Sequence, residues 1–262
     1  MRLMRELRCF PEVVTGHSTI LNTWAGSTNS NAVGAFWVLR AVVEGRVDER
    51  TGYLCSIETL DRLLRDVVLP CLCDRVGQSS AFPVIARALL HAFPVAAEHC
   101  PKVAHLRELQ WGVSPFVRFT VEREDMSMIQ VTEAFEFSAA HRLHCSDLSE
   151  EENRRIFGKC SNPNGHGHNY VVEVTVAGRT DDRPGAAVEL PAVRRTVNER
   201  VITRFDHRHL NRDCVEFESL NPSVENIARV IWGLLRDAFS QCRLSSVRVW
   251  ETPKTYAEYN GE

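Results

Sequence analysis

The sequence predicts an α+β protein built from two similar halves in tandem, and three observations carry that prediction. The block Gly45-Arg46-Val47-Asp48-Glu49-Arg50-Thr51-Gly52 aligns without a gap with Gly178-Arg179-Thr180-Asp181-Asp182-Arg183-Pro184-Gly185, five of the eight positions being identical. A strand-like apolar run precedes each block, Phe36 to Val43 and Tyr170 to Val176. A helical pattern follows each.

In the first half Leu60, Leu63, Leu64, Val67 and Val68 share one helical face, and in the second Val193, Val197 and Val201 mark the corresponding stripe. A second helix follows in each. Ile85 to Leu90 resembles Ile227 to Trp232, and Val224, Ile227, Ala228, Ile231 and Leu235 form the apolar stripe of the later one. Strand-rich sequence closes both halves. Each half therefore reads as two strands, two helices and two strands, with the charged stretch Glu122-Arg123-Glu124-Asp125 as the boundary between domains 1–125 and 126–262.

Composition narrows the function classes. The chain of 262 residues is 44% hydrophobic, enough for real cores, and its net charge of -3 gives no global attraction to nucleic acid or anionic membrane. A small charged substrate fits better than a polyanion. The nine cysteines follow no disulfide spacing and the N-terminus lacks the apolar run of a signal peptide, so reduced thiols in a cytoplasm are expected. The most apolar region, 81–97, is broken by Pro83, Arg87, His91 and Pro94 and cannot span a bilayer.

The chemistry concentrates in the second half. Alternation places Phe135, Phe137, Ala139 and His141 on one strand face, and His166, His168, Tyr170, Val172, Val174 and Val176 on another. If these strands pair, three imidazoles converge with no fourth protein ligand, the pattern of a catalytic zinc site with an open position. His144 lies on the other parity. The turn-rich stretch Ser161-Asn162-Pro163-Asn164-Gly165 can fold Cys160 back over that pocket, where a dication favours the thiolate. Such a thiolate is either a further metal ligand or a general base.

On these residues the stretch from Val131 to Glu262 resembles the 6-pyruvoyl-tetrahydropterin synthase family of the tunnelling fold. The motifs that carry the resemblance are Phe137-Ser138-Ala139-Ala140-His141-Arg142-Leu143, Leu148 to Asn153, Cys160 to Tyr170, Phe205-Asp206-His207-Arg208-His209-Leu210, Pro222-Ser223-Val224-Glu225-Asn226 and Val249-Trp250-Glu251-Thr252. The resemblance implies two tandem tunnelling-fold domains, each a four-stranded antiparallel sheet with two helices on one face. It further implies that His141, His166 and His168 bind Zn2+, that Cys160 accepts a proton, that Asp206 and His207 form a relay, and that Glu251 anchors a pterin ring. Ser223 matches a substrate-binding position and reads equally as a helix N-cap.

The implied reaction is the zinc-dependent conversion of 7,8-dihydroneopterin triphosphate to 6-pyruvoyl-tetrahydropterin, a lyase reaction that eliminates triphosphate and needs no redox cofactor. Five residues separate Cys160 from His166, as in the pyruvoyl-forming branch; the 6-carboxytetrahydropterin synthase branch of queuosine biosynthesis has a shorter spacer. A non-catalytic zinc- or pterin-binding protein is the rival class. The segment Asp182 to Pro191 departs from the family pattern, which Asp48 to Leu54 keeps better.

Carried back along the repeat, His166 and His168 fall on Val33 and Ala35, Cys160 on Ser27, and Asp206-His207 on Cys73-Asp74. The first half is thus expected to be a degenerate copy without metal ligands, and His17 a coincidence. Resemblance to trimeric barrels implies a homo-oligomer of three two-domain chains.

Overall fold

The computed structural model describes residues 1–11, 20–22, 36–76, 82–179 and 188–262. It divides into two units, Met1–Val131 with Gly178–Ala187, and Thr132–Ala177 with Val188–Glu262. In the first, strands β1 (Arg2–Pro11), β2 (Ile20–Asn22), β3 (Trp37–Gly45), β4 (Ala104–Gly112) and β5 (Val117–Glu122) lie in the order β5-β4-β3-β1-β2, with every neighbour antiparallel. Period-two alternation buries Trp37, Leu39, Ala41 and Val43 of β3. Helices α1 (Ile57–Arg62) and α2 (Leu69–Val76) are joined by a π-helical stretch, Leu63–Val68, and α3 (Phe82–Glu98) follows. Leu60, Leu64, Leu72, Leu89 and Phe93 fill this core.

In the second unit β6 (Met128–His141, from Thr132 onward), β7 (His166–Arg179), β9 (Arg243–Thr252) and β10 (Thr255–Tyr259) lie in the order β10-β9-β7-β6. The two-residue β8 (Arg208–His209) pairs in parallel with β6. The helices are α4 (Glu150–Phe157), α5 (Leu190–Val197), α6 (Thr203–Phe205), α7 (Leu210–Asp213) and α8 (Val224–Leu235), with a π-helical stretch at Asn198–Ile202. Ser149 and Glu152 form a capping box on α4, whose first turn is acidic and last turn basic, so the helix dipole is compensated at both ends. The stripe Val224, Ile227, Ala228, Ile231 and Leu235 is buried, as its spacing predicts, and α8 packs on β9 and β10.

The architecture is mixed helix and strand on antiparallel ladders. Two separately delimited four-stranded domains are not what it displays: the first unit adds β2 to its edge, the second adds β8, and the unit boundary falls inside β6. The cause is local. The charged stretch closes in a single 3-10 turn, Arg123–Asp125, and the long β6 begins almost immediately.

Inside the units several irregularities recur at the repeat spacing. The β3–β4 ladder slips between Val42 and Val43, and the β7–β9 ladder between Thr175 and Val176, 133 residues on. A π-helical stretch follows α1 in the first unit and α5 in the second, beginning at Leu63 and at Asn198. Asp61 of α1 is clasped by Arg5 of β1 at 2.5 Å, and Arg194 of α5, 133 residues on, donates to Glu133 of β6 at 2.5 Å; the helix positions correspond across the repeat, while the strand partners do not, Arg5 falling on Ser138. Ser27, Val33, Ala35, His17 and residues 180–187 lie outside the described residues.

Asn153 is fully buried and shapes the loop that follows His141. Its amide donates to the carbonyls of Cys145, Leu148 and Ser149 at 2.9, 3.1 and 3.1 Å, and its carbonyl accepts the Cys145 N–H at 2.8 Å. Replacement by alanine strands these groups, so N153A should lose about 2–4 kcal/mol in urea unfolding. A loss below about 1 kcal/mol contradicts this role.

Candidate metal centre and active site

His141 is the last residue of β6 and has no solvent exposure, while His166 and His168 open the neighbouring strand β7. Alternation aims both β7 imidazoles to one side, the side continued by buried Tyr170, Val172 and Val174. One nitrogen from each of the three histidines lies within 4.8 Å of the other two, and the Nε2 atoms of His141 and His166 are 3.1 Å apart.

The orientation of His141 is set from outside the cluster. Its Nδ1 lies 2.7 Å from the Pro222 carbonyl, which can only accept, so Nδ1 carries the proton and Nε2 presents a lone pair to His166. Burial pushes the His141 pKa down to about 4, and burial together with the neighbouring His168 lowers that of His166. Both rings are held in the neutral form that a metal requires.

These residues fit a metal ion. The Nε2 atoms of His141 and His166 converge at 3.1 Å, and His166 Nδ1 and His168 Nε2 are buried without a hydrogen-bond partner. A tetrahedral zinc with bonds of about 2.0–2.1 Å sets its nitrogens roughly 3.3 Å apart. The Glu251 carboxylate at the end of β9 borders the cluster, its Oε1 being 3.3 Å from His141 Nε2 and 3.6 Å from His168 Nε2.

Cys160 occupies a 3-10 turn, Gly158–Ser161, whose carbonyl groups are tied to the end of β6: Leu143 N–H donates to Cys160 at 2.9 Å and Arg142 Nε to Ser161 at 3.1 Å. The next turn brings the chain back to His166 through Gly165, at φ 72°. A Cβ there would meet the His141 carbonyl at 2.8 Å and His209 Nε2 at 2.9 Å, so the close approach depends on glycine. Tyr170 stacks on Phe137 at 4.9 Å and meets His168 at 5.5 Å. Its buried hydroxyl has no partner, and burial, then Glu251 and Cys160, raise its pKa.

Asp206 and His207 form a tight corner on β6. Asp206 accepts the Ser138 N–H at 2.8 Å through Oδ1 and holds His207 Nδ1 at 2.8 Å through Oδ2, while the His207 N–H donates to the Ser138 carbonyl at 2.6 Å. These contacts keep His207 at φ 58°, a left-handed conformation that non-glycine residues rarely adopt. The Ser138 N–H, then His207, hold the Asp206 carboxyl below its usual range.

Of the residues expected from sequence, the three histidines and Glu251 meet directly, and His207 and His168 line one cavity. Ser223 caps α8, accepting the Asn226 N–H. Sequence reading gave no part to the Pro222 carbonyl, the Tyr170 hydroxyl, Arg208 or His209. Arg208 and His209 stood inside a quoted motif, and the alternation of basic groups from His207 to His209 was the available signal.

Antiparallel ladders with flanking helices and a three-histidine cluster beside a carboxylate define a protein of mixed α and β structure with a candidate metal centre. Residues 130–262 match the family model for 6-pyruvoyl tetrahydropterin synthase. The chain belongs to that family. It is 41% identical over 133 residues to the 6-pyruvoyl tetrahydrobiopterin synthase of Homo sapiens, covering 51% of this chain and 92% of that one. With the 6-carboxy-5,6,7,8-tetrahydropterin synthase of Haemophilus influenzae it shares 26% over 152 residues, 50% of this chain and 99% of that one. The solved 6-pyruvoyl tetrahydropterin synthase of Caenorhabditis elegans aligns with a TM-score of 0.49 at 36% identity, over 52% of this chain and 96% of that one.

The depressed His141 pKa has a consequence for the metal-free protein. Between the ordinary value of 6.5 and about 4, the unfolded chain binds a proton at His141 that the folded chain refuses, so stability falls as pH falls through this window. Urea unfolding of metal-free protein should lose up to about 3 kcal/mol from this residue between those limits. H141Q should flatten the profile; a variant profile as steep as the wild type contradicts the assignment.

Proposed function

We propose that this chain is a zinc-dependent lyase that converts 7,8-dihydroneopterin triphosphate to 6-pyruvoyl-tetrahydropterin and releases triphosphate. The observation that carries the reading is the three-imidazole cluster around buried His141 with its ordered tautomer, found within a segment 41% identical to a 6-pyruvoyl tetrahydrobiopterin synthase. His141, His166 and His168 would hold the zinc. When bound, it supplies a Lewis acid that acidifies the carbon next to a coordinated hydroxyl.

The chain's own groups supply the proton transfers. Cys160 accepts the side-chain proton, and His207, with Nδ1 held by Asp206, exchanges a proton at Nε2. Glu251 accepts the N–H donors of the pterin edge, and Ser223 contributes at the same end through its place beside Pro222. Two features favour the pyruvoyl branch over the 6-carboxy one: the five-residue spacer between Cys160 and His166, and the higher identity to relatives named for the pyruvoyl product.

Residues 1–125 are read as a degenerate copy of the catalytic domain 126–262, serving as scaffold. The strand orders and the ladder slips 133 residues apart support a common origin. Three chains would assemble into a homo-oligomer with one working site per chain. Among the described residues no helix is long and apolar enough to cross a membrane.

Incubation of zinc-loaded protein with 7,8-dihydroneopterin triphosphate, with products identified by mass spectrometry, should yield 6-pyruvoyl-tetrahydropterin. A 6-carboxy product would move the chain to the other branch, and unreacted substrate would leave a pterin-binding protein. C160A should retain zinc and lose about 10²- to 10⁴-fold in turnover. Loss of the metal instead would make the thiol a ligand.

A further inference from the structure

Next to the imidazole cluster lies a cavity of about 520 Å³ whose polar lining is Ser138, His168, Asn169, His207, Arg208 and His209. Its volume is in the range of small-molecule sites. No carboxylate lines it. The nearby acids are already engaged: Asp206 holds the Ser138 N–H and His207 Nδ1, and Asp213 accepts the His209 backbone N–H at 2.7 Å.

The polar groups at the cavity that keep hydrogen-bonding capacity are mostly donors. Asn169 uses its carbonyl oxygen to accept from Ser138 Oγ at 2.7 Å, which leaves its amide N–H groups. Arg208, an exposed residue, makes no ion pair among the described residues. Both ring nitrogens of His209 are buried without a partner, an arrangement that costs free energy until a ligand supplies one. The positions are rigid: β8 pairs Arg208 with Ala139 and His209 with Ala140, and the His209 ring rests against Gly165. Arg212 adds positive potential at His209 and Asp213 opposes it.

We propose that this cavity is an anion subsite in which Arg208 and His209, with the Asn169 amide, hold the phosphate chain of the substrate. The assignment rests on the function proposed above and identifies the side chains that would distinguish the phosphorylated pterin from the free one. A guanidinium can grip phosphate oxygens through two parallel N–H donors, and a neutral imidazole can add a third. The arrangement sets the phosphates beside His207 and His168, so the leaving group would depart on the cavity side of the metal cluster.

Binding of 7,8-dihydroneopterin and of its triphosphate to zinc-loaded full-length protein, followed by fluorescence, separates this subsite from the rest of the pocket. R208A should weaken the triphosphate about 10- to 100-fold while the phosphate-free pterin changes less than about twofold, and R208K should recover part of the loss. H209A should show the same selectivity and H209Q should restore it in part. Equal loss for both ligands, or no loss for either, overturns the subsite. Inorganic triphosphate, titrated by calorimetry with zinc content checked on the recovered protein, supplies an arm independent of the pterin. Arg208-dependent binding of inorganic triphosphate by a wild type that binds neither pterin would sink the proposed reaction and leave the subsite standing. Orthophosphate binding as tightly as triphosphate would reduce it to a site for free phosphate and overturn the proposal.

Discussion

The hydrogen bond from His141 Nδ1 to the Pro222 carbonyl, 2.7 Å long and wholly buried, is the contact on which the rest of the site depends. An imidazole can offer a metal one lone pair only if its other nitrogen keeps the proton, and the carbonyl enforces that choice. Pro222 is itself held in place. Asn221 accepts the His144 N–H at 3.2 Å and receives the Asn226 side-chain amide at 2.8 Å, and Ser223 caps α8 one residue later. The start of α8 thus sets the tautomer at the end of β6.

Around that contact the second unit accumulates costs that a folded chain ordinarily avoids. His168 Nε2, the Tyr170 hydroxyl and both nitrogens of His209 are buried without partners, and His207 holds a left-handed backbone. Such groups are destabilising one by one and informative together, because His168, His207 and His209 line one cavity and the Tyr170 ring meets that of His168. Elsewhere in the unit, Thr132 and Thr175 satisfy each other at 2.8 Å and Arg194 holds Glu133 Oε1, while Glu133 Oε2 and Ser245 Oγ are also buried without a partner.

Much of this was legible in the sequence because period and spacing are local properties. Alternation from Phe137 to His141 and from His166 to Val176 specified which imidazoles face inward, and the apolar stripe of α8 named its buried residues. What escaped were features made by the backbone or by distant partners. No side-chain pattern distinguishes the Pro222 carbonyl from any other, and nothing in the charged stretch before Met128 reveals that it closes in one turn and hands the chain directly to β6. The positive φ of His207 was likewise invisible, since it follows from two hydrogen bonds to Ser138, which lies 69 residues earlier. The internal repeat was readable as an eight-residue block, while its deeper signature, the matched ladder slips, needed coordinates.

The central claim is an open centre of three imidazole nitrogens with Cys160 outside the coordination shell. X-ray absorption at the zinc edge of the zinc-loaded protein tests it most directly. The expected spectrum contains only nitrogen and oxygen neighbours at about 2.0–2.1 Å, with the outer-shell scattering of imidazole rings. A sulfur neighbour at about 2.3 Å, or a spectrum without imidazole scattering, would contradict it.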